Sequence, residues 1–312
     1  MTPYQSAKYI GFVLTALYLL TISLCCKSFT QKEKELPDTK YRGSINVSAD
    51  ESFKPIIDAM VKVYESNYSG TTINVQYKPE ADCLKDLEND SVRMIIATRR
   101  YNEDENDFMV DSLKIGPESM IVAQDAIAVI VNPESEYSQF SMKDIVEILT
   151  GRFSKNLIPV FDGVKATSTV RFIIDSVLHG DTLTKGAMAA RSSEAVVDYV
   201  SKNDNVVGFI GVSWIGNPED TQQLSFLKKV RMAPVENPLV PGKFVLPSQA
   251  NIFGKRYPMV RDLVYILKEN HKGLGHGFAD FMSGEIGQLI FRRAYLLPKQ
   301  KNFGIRPVRL NE

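Results

Sequence analysis

The run Met120–Val131, MIVAQDAIAVIV, sets the strongest limit on what this chain can become. It is rich in β-branched and small apolar residues and is interrupted only by Gln124-Asp125. Strands are usually about five or six residues long. A run of this length reads as one strand that leaves one domain and enters another. Upstream, Ser44–Ser48 alternates as a strand. Phe53–Tyr68 then sets Phe53, Ile56, Ile57, Met60, Val61 and Tyr64 at helical spacing. Thr72–Tyr77 reads as a strand, Asp82–Asp90 as a helix and Met94–Ala97 as a short buried strand. The resulting β-α-β-α-β order predicts a parallel sheet covered by helices.

Downstream, a second set begins. Ser141–Leu149 opens on a serine cap and has a helical period. Leu157–Phe161 reads as a strand, Thr169–Leu178 and Ser193–Lys202 as helices, and Val206–Val212 as a buried strand. Lys243–Val245 and Ser248–Phe253 read as strands, and Val260–Asn270 and Gly277–Arg293 as two closing helices. The chain therefore leaves one α/β unit, builds a second and returns. The crossings are expected near Gln124-Asp125 and Ala233-Pro234. One lobe would hold residues 43–123 plus 235–312 and the other residues 124–234, a division that suits 312 residues at roughly 150 per domain. Two lobes with two crossings leave a cleft at the strand ends.

Ahead of the body, Tyr9–Cys26 is uncharged and apolar and lies between Lys8 and Lys27. It falls just short of the roughly 20 residues a membrane-spanning helix needs. Its end on Cys25-Cys26 resembles the end of a bacterial lipoprotein signal, in which a cysteine receives lipid and becomes the new N-terminus. An uncleaved anchor helix and a soluble secreted product are the alternatives. All three place the body outside the cytoplasm. Residues 27–42 are polar with one proline and read as a flexible tether. Loss of residues 1–26 removes one lysine, which leaves the body near −1.

The whole chain is neutral, with 37 basic and 37 acidic residues, so no overall basic field exists to hold nucleic acid. Three cysteines cannot make a disulfide framework, and Cys83 reads as an inert buried thiol. Three histidines leave little for a metal site, and no cofactor is implied. Gly211-Val-Ser213-Trp-Ile-Gly216 fails the nucleophile-elbow pattern at Ile215, so an enzyme reading lacks a nucleophile–base pair. Gly273-Leu-Gly275-His-Gly277 reads as a connection between two helices rather than a phosphate loop. Trp214 follows a buried strand, at the cleft or beneath it.

Seven phrases, in order from about Gly43 to Pro298, resemble the periplasmic phosphate-binding protein family, the solute-receiving subunits of ATP-driven phosphate importers. They are GSINVSADESFKPIIDAM, MIIATRRYNEDE, DAIAVIVNP, SMKDIVEILTGR, VVGFIGVSWIG, KRYPMVRDLVYIL and FADFMSGEIGQLIFRRAYLLP. The resemblance implies a two-lobed Venus-flytrap α/β fold with two crossover strands, closing on an oxyanion held by backbone N–H groups, hydroxyls, an arginine and an aspartate. The implied partners are inorganic phosphate and a membrane permease complex, with the protein itself a monomer.

Carried over by motif, the expected ligand-binding residues are Asp50, Ser52 and Phe53, then Thr98 and Arg99, then Thr167, Ser168 and Thr169. The acidic Asp50-Glu51 pair departs from the family's small residues; Asp50 either favours the helix start or accepts a proton-bearing ligand oxygen or a cation. Arg99 faces the ligand or pairs with Asp104 or Glu105. The arginine expected before the hydroxyl run is absent near Gly163, and Lys165 or Arg171 could supply its charge. The alternative to phosphate capture is an interaction or signalling protein that kept the fold and lost the ligand.

Overall fold

The computed structural model describes residues 38–114, 116–163 and 167–299. The cysteines at 25 and 26, the apolar run and most of the tether lie outside the described residues, as does Lys165. The first unit runs β1 (Arg42–Asp50), a 3-10 turn (Glu51–Phe53), α1 (Lys54–Asn67), β2 (Gly70–Lys78), α2 (Glu80–Asp86), β3 (Val92–Ala97) and α3 (Glu103–Leu113). β4 (Glu118–Val131) follows. The second unit runs α4 (Met142–Thr150), β5 (Ile158–Phe161), α5 (Ser168–Phe172) with a π-helical turn to Val177, β6 (Met188–Ala189), α6 (Ser193–Val200), β7 (Val206–Gly211) and α7 (Thr221–Lys229). The chain closes through β8 (Arg231–Ala233), β9 (Val235–Glu236), β10 (Phe244–Val245), α8 (Gln249–Phe253), β11 (Val260–Leu267), α9 (Leu274–Ser283), α10 (Glu285–Arg293) and β12 (Leu297–Pro298).

β4 belongs to both halves. Residues 118–126 pair antiparallel with β11, and residues 127–131 pair antiparallel with β7. The sheet order is β2-β1-β3-β11-β4-β7-β5-β6. β1 pairs parallel with β2 and β3, and β5 pairs parallel with β6 and β7. Each half is thus an α/β lobe whose central strands are buried on both faces, and β4 is buried almost throughout from Val122 onward. The first core gathers Val47, Ile57, Met60, Tyr64, Phe278 and Phe291. The second gathers Phe140, Ile148, Phe161 and Phe209, with Phe161 and Phe209 stacked at 5.2 Å between centroids.

Three segments differ from the sequence pattern. Residues 260–267 form a strand, not a helix. Val260, Leu263, Val264 and Leu267 have helical spacing, but a central strand flanked by β3 and β4 is buried on both faces and keeps no period of two. Residues 249–253 form a short helix rather than a strand, because the Ser248 side chain accepts the Asn251 N–H and caps the turn. The glycines 273–277 follow a strand and open α9. Its free N–H groups are taken by carboxylates: Leu274 N donates to Asp38, and Gly275 N and His276 N donate to Glu269.

Val235, Val245, Ile252, Tyr257 and Met259 pack into the second core. Ile127 N donates to the Met259 carbonyl and Tyr257 Oη to the Ile127 carbonyl. These contacts hold residues 235–259 beside the second core, and the chain rejoins the first sheet only at Val260.

Gly208 in β7 has no room for a side chain. A Cβ there would meet Ile130 Cγ1 at 2.7 Å, Val200 Cγ2 at 2.8 Å and Val196 Cγ1 at 2.9 Å. Gly208→Ala is expected to destabilise by about 1–3 kcal/mol, as overpacking does. The midpoint of urea unfolding checks this, and an unchanged midpoint would contradict it.

Candidate functional site

The lobes meet along a buried band of polar side chains. At its centre is a cross-strand ion pair, Arg261 on β11 opposite Asp125 on β4. Arg261 Nε donates to Asp125 Oδ2 at 2.9 Å, and Nη2 lies 2.8 Å from the same oxygen. The two side chains are 1% and 0% exposed, so neither charge has water to fall back on. The guanidinium also sits over the Phe53 ring at 5.3 Å, a cation–π contact. Its Nη1 reaches into the other lobe, donating to Ser168 Oγ at 2.8 Å and to Thr169 Oγ1 at 3.3 Å.

From the first lobe, Ser52 Oγ lies 3.3 Å from Ser168 Oγ and 3.5 Å from Asp162 Oδ2. Ser213 Oγ donates to the Ser52 carbonyl at 2.6 Å. Asp50 Oδ1 accepts the Ser52 N–H at 2.9 Å and so caps the 3-10 turn that presents Ser52 and Phe53. Glu51 reaches across to Ser193, taking its hydroxyl at 3.0 Å and its N–H at 3.3 Å.

A second group lies beside the first. Glu80, 1% exposed, accepts from Thr98 N at 2.7 Å and Thr98 Oγ1 at 2.6 Å. Arg171 of α5 donates its Nε to Glu80 Oε2 at 2.6 Å and its Nη2 to Thr98 Oγ1 at 2.6 Å.

The carboxylates feel this environment unequally. Burial, together with the charges of Asp50 and Glu51, pushes the Asp162 pKa up to about 7, against the pull of Arg261. Burial also raises Asp50, with Arg261 opposing and Glu80 adding to the rise, and raises Glu51 against its bonds to Ser193. Glu80 is equally buried, yet the Arg171 guanidinium and the Thr98 donors outweigh burial and hold it below the usual range. Asp125 Oδ1 and Asp162 Oδ1 are buried without a hydrogen-bond partner. Buried polar atoms are rarely left so.

The structure thus brings together Asp50, Ser52, Phe53, Ser168 and Thr169. Thr98 joins the neighbouring Glu80–Arg171 group. The Thr167 hydroxyl accepts the Val170 N–H at 3.3 Å and caps α5. Arg99 is not in the band. Both of its Nη atoms go to Glu105, at 2.6 and 2.8 Å, where Glu105 completes the capping box of α3. Cys83 is buried, and burial raises its thiol pKa. Trp214 is buried beneath Ile210 and Phe226.

The sequence pattern did not single out Arg261, Asp125 or Glu80 as site residues. Asp125 left a trace as the polar break in an apolar strand, and Arg261 as one of two adjacent charges, with Asp262, in the otherwise apolar run VRDLVYIL. Among the described residues no cluster of His, Cys, Asp or Glu is arranged to hold a metal ion, and no helix is long and apolar enough to cross a membrane.

The family model described as "PBP superfamily domain" matches residues 36–285. The phosphate-binding protein PstS of Borreliella burgdorferi is 18% identical over 292 residues, covering 88% of this chain and 94% of that protein. A protein of Clostridium perfringens, assigned as a phosphate ABC transporter substrate-binding protein and solved with bound phosphate, superposes with a TM-score of 0.67 at 19% identity. The match covers 83% of this chain and all of that one. An ABC-type phosphate transport receptor from Vibrio cholerae superposes with a TM-score of 0.61 at 16% identity, covering 82% of this chain and 100% of its own.

Arg261→Met would leave Asp125 buried without its counter-charge. It is expected to cost about 3–5 kcal/mol of stability, and adding Asp125→Asn should return part of that. Denaturant unfolding of the single and double variants measures this, and equal losses in both would count against a paired role.

Proposed function

The chain belongs to the PBP superfamily, and from that premise we propose that it is a solute-binding protein that captures phosphate, or a closely related oxyanion, between its lobes for an ATP-driven importer. The relatives support a transport receptor rather than an enzyme. One observation carries the reading. Hydroxyls of both lobes meet beside a single buried guanidinium: Ser168 and Thr169 accept from Arg261, and Ser52 of the other lobe lies within hydrogen-bond distance of Ser168. Hydroxyls and a fixed positive charge replace the water an anion loses on burial.

Asp50 and Asp162 line the same place, and a carboxylate tolerates an oxyanion only where one of the two carries a proton. In this reading Asp162, near neutral pKa, shares a proton with the ligand. The body works outside the cytoplasm, lipid-tethered at Cys25 or Cys26, and hands its solute to a membrane permease. Replacing both cysteines with serine is expected to abolish labelling by a radioactive fatty acid, and unchanged labelling would remove the tether.

Titration calorimetry with phosphate and sulfate tests the site. Ser168→Ala should cost about 1–3 kcal/mol of phosphate binding, the worth of a hydrogen bond to a charged group. No phosphate binding by the unaltered protein would favour an interaction protein that kept only the fold.

The pH dependence has a definite sign. Below about pH 7 the Asp162 carboxyl is protonated and can donate to an anion; above it the carboxylate repels one. Affinity should therefore fall as pH rises through about 7. Phosphate itself titrates in this range, so the measured quantity is the difference from Asp162→Asn, which should flatten the profile. Identical profiles for the two proteins would exclude Asp162.

A further inference from the structure

Thr98 and Arg171 form a donor set suited to an oxyanion, yet both are already engaged by a carboxylate of the chain itself. Glu80 receives one backbone N–H, one hydroxyl and one guanidinium N–H, at 2.7, 2.6 and 2.6 Å. These are the donor types a bound phosphate oxygen would take. The three residues come from both lobes. Glu80 opens α2 and Thr98 follows β3 in the first, while Arg171 lies on α5 in the second. Arg171 closes the ring by donating to Thr98 Oγ1, so the ion pair is fixed by a third contact.

The same short helix carries Ser168 and Thr169, which bond Arg261. Whatever holds α5 against the first lobe therefore also holds those hydroxyls in place. The carboxylate is fully withdrawn from solvent while the Arg171 side chain remains 31% exposed, so the pair opens toward water from the arginine side.

We propose that Glu80 is a built-in carboxylate ligand that latches the two lobes through Arg171 and competes with a cleft anion for the Thr98 and Arg171 donors. The proposal rests on the reading of the cleft as an oxyanion site and names the residue that sets its affinity. An arriving anion must displace Glu80 from those donors or do without them. Either way, part of the closing interaction is present before the solute arrives, so solute binding gains less from closure.

The test compares the full chain with Glu80→Ser, which leaves a hydroxyl, and with Glu80→Gln, which keeps the shape and the acceptor toward Thr98 but removes the charge. Calorimetry with inorganic phosphate is expected to show roughly tenfold or tighter binding in Glu80→Ser, with Glu80→Gln between it and the unaltered protein. Small-angle scattering should show the unaltered protein equally compact with and without phosphate, whereas Glu80→Ser is expanded alone and contracts on adding phosphate. Phosphate binding detected only in the two variants supports the latch in its strongest form. If the unaltered protein binds phosphate and both variants bind it equally or more weakly, the latch is wrong and the phosphate reading stands. If none of the three binds millimolar phosphate, the phosphate reading fails and the latch falls with it.

Discussion

The buried pair between Arg261 and Asp125 is the constraint around which the rest is arranged. It occupies the last part of β4 paired with β11, next to the point where β4 passes to β7. Taking two such ions out of water costs several kcal/mol each, and their attraction offsets this only with good geometry and further hydrogen bonds. The protein supplies both. The strand register places the two side chains opposite each other, Phe53 offers its ring face, and Ser168 and Thr169 take Nη1. Gly211 leaves the space: a Cβ there would come within 2.8 Å of Arg261 Nη2 and 3.1 Å of Asp125 Oδ2. β4, the first-lobe turn and the second-lobe helix are thus tied to one guanidinium.

Around that cation the lining is acidic. Asp50, Glu51, Glu80, Asp125 and Asp162 face Arg171 and Arg261, so full ionisation would leave an excess of negative charge in a place with little water. Burial resolves this by raising Asp162, Asp50 and Glu51, while Glu80 stays ionised because it has its own arginine. A neutral chain can therefore hold a strongly polarised interior. For any solute captured there, the local arrangement rather than the overall field would set the selection.

Much of the architecture was legible because it rests on local signals. The period of Phe53–Tyr68, the Ser141 cap and the unbroken apolar strands each marked one element. The long strand was legible from its length and from the Gln124-Asp125 break, which the structure explains: Gln124 bonds Asp262, and Asp125 holds Arg261. β11 was misread because a strand buried on both faces loses its alternation and can mimic a helix. Of the site, the hydroxyls at 52, 168 and 169 were legible as residues at strand–helix junctions. Arg261 and Glu80 were not. Arg261 reaches the site from a strand 92 or more residues away in sequence, and Glu80 reads from sequence as an ordinary acidic residue in a first helical turn. What makes each a site residue is a partner that only the folded chain supplies.

The two arginines divide the work by their surroundings. Arg261 is held on three sides by groups that do not leave: a strand partner, an aromatic face and two hydroxyls from α5. Moving it would strand Asp125, so it acts as a fixed charge. Arg171 is partly in solvent and holds Glu80 and Asp175, the latter at 3.3 Å on an exposed face. An ion pair with one side open to water gains less and exchanges more readily than a buried one. A cleft that captures and releases an anion, as proposed here, has use for one charge of each kind. Under the proposed function, the fixed one would define where the anion sits, and the exchangeable one would set how firmly the lobes close over it.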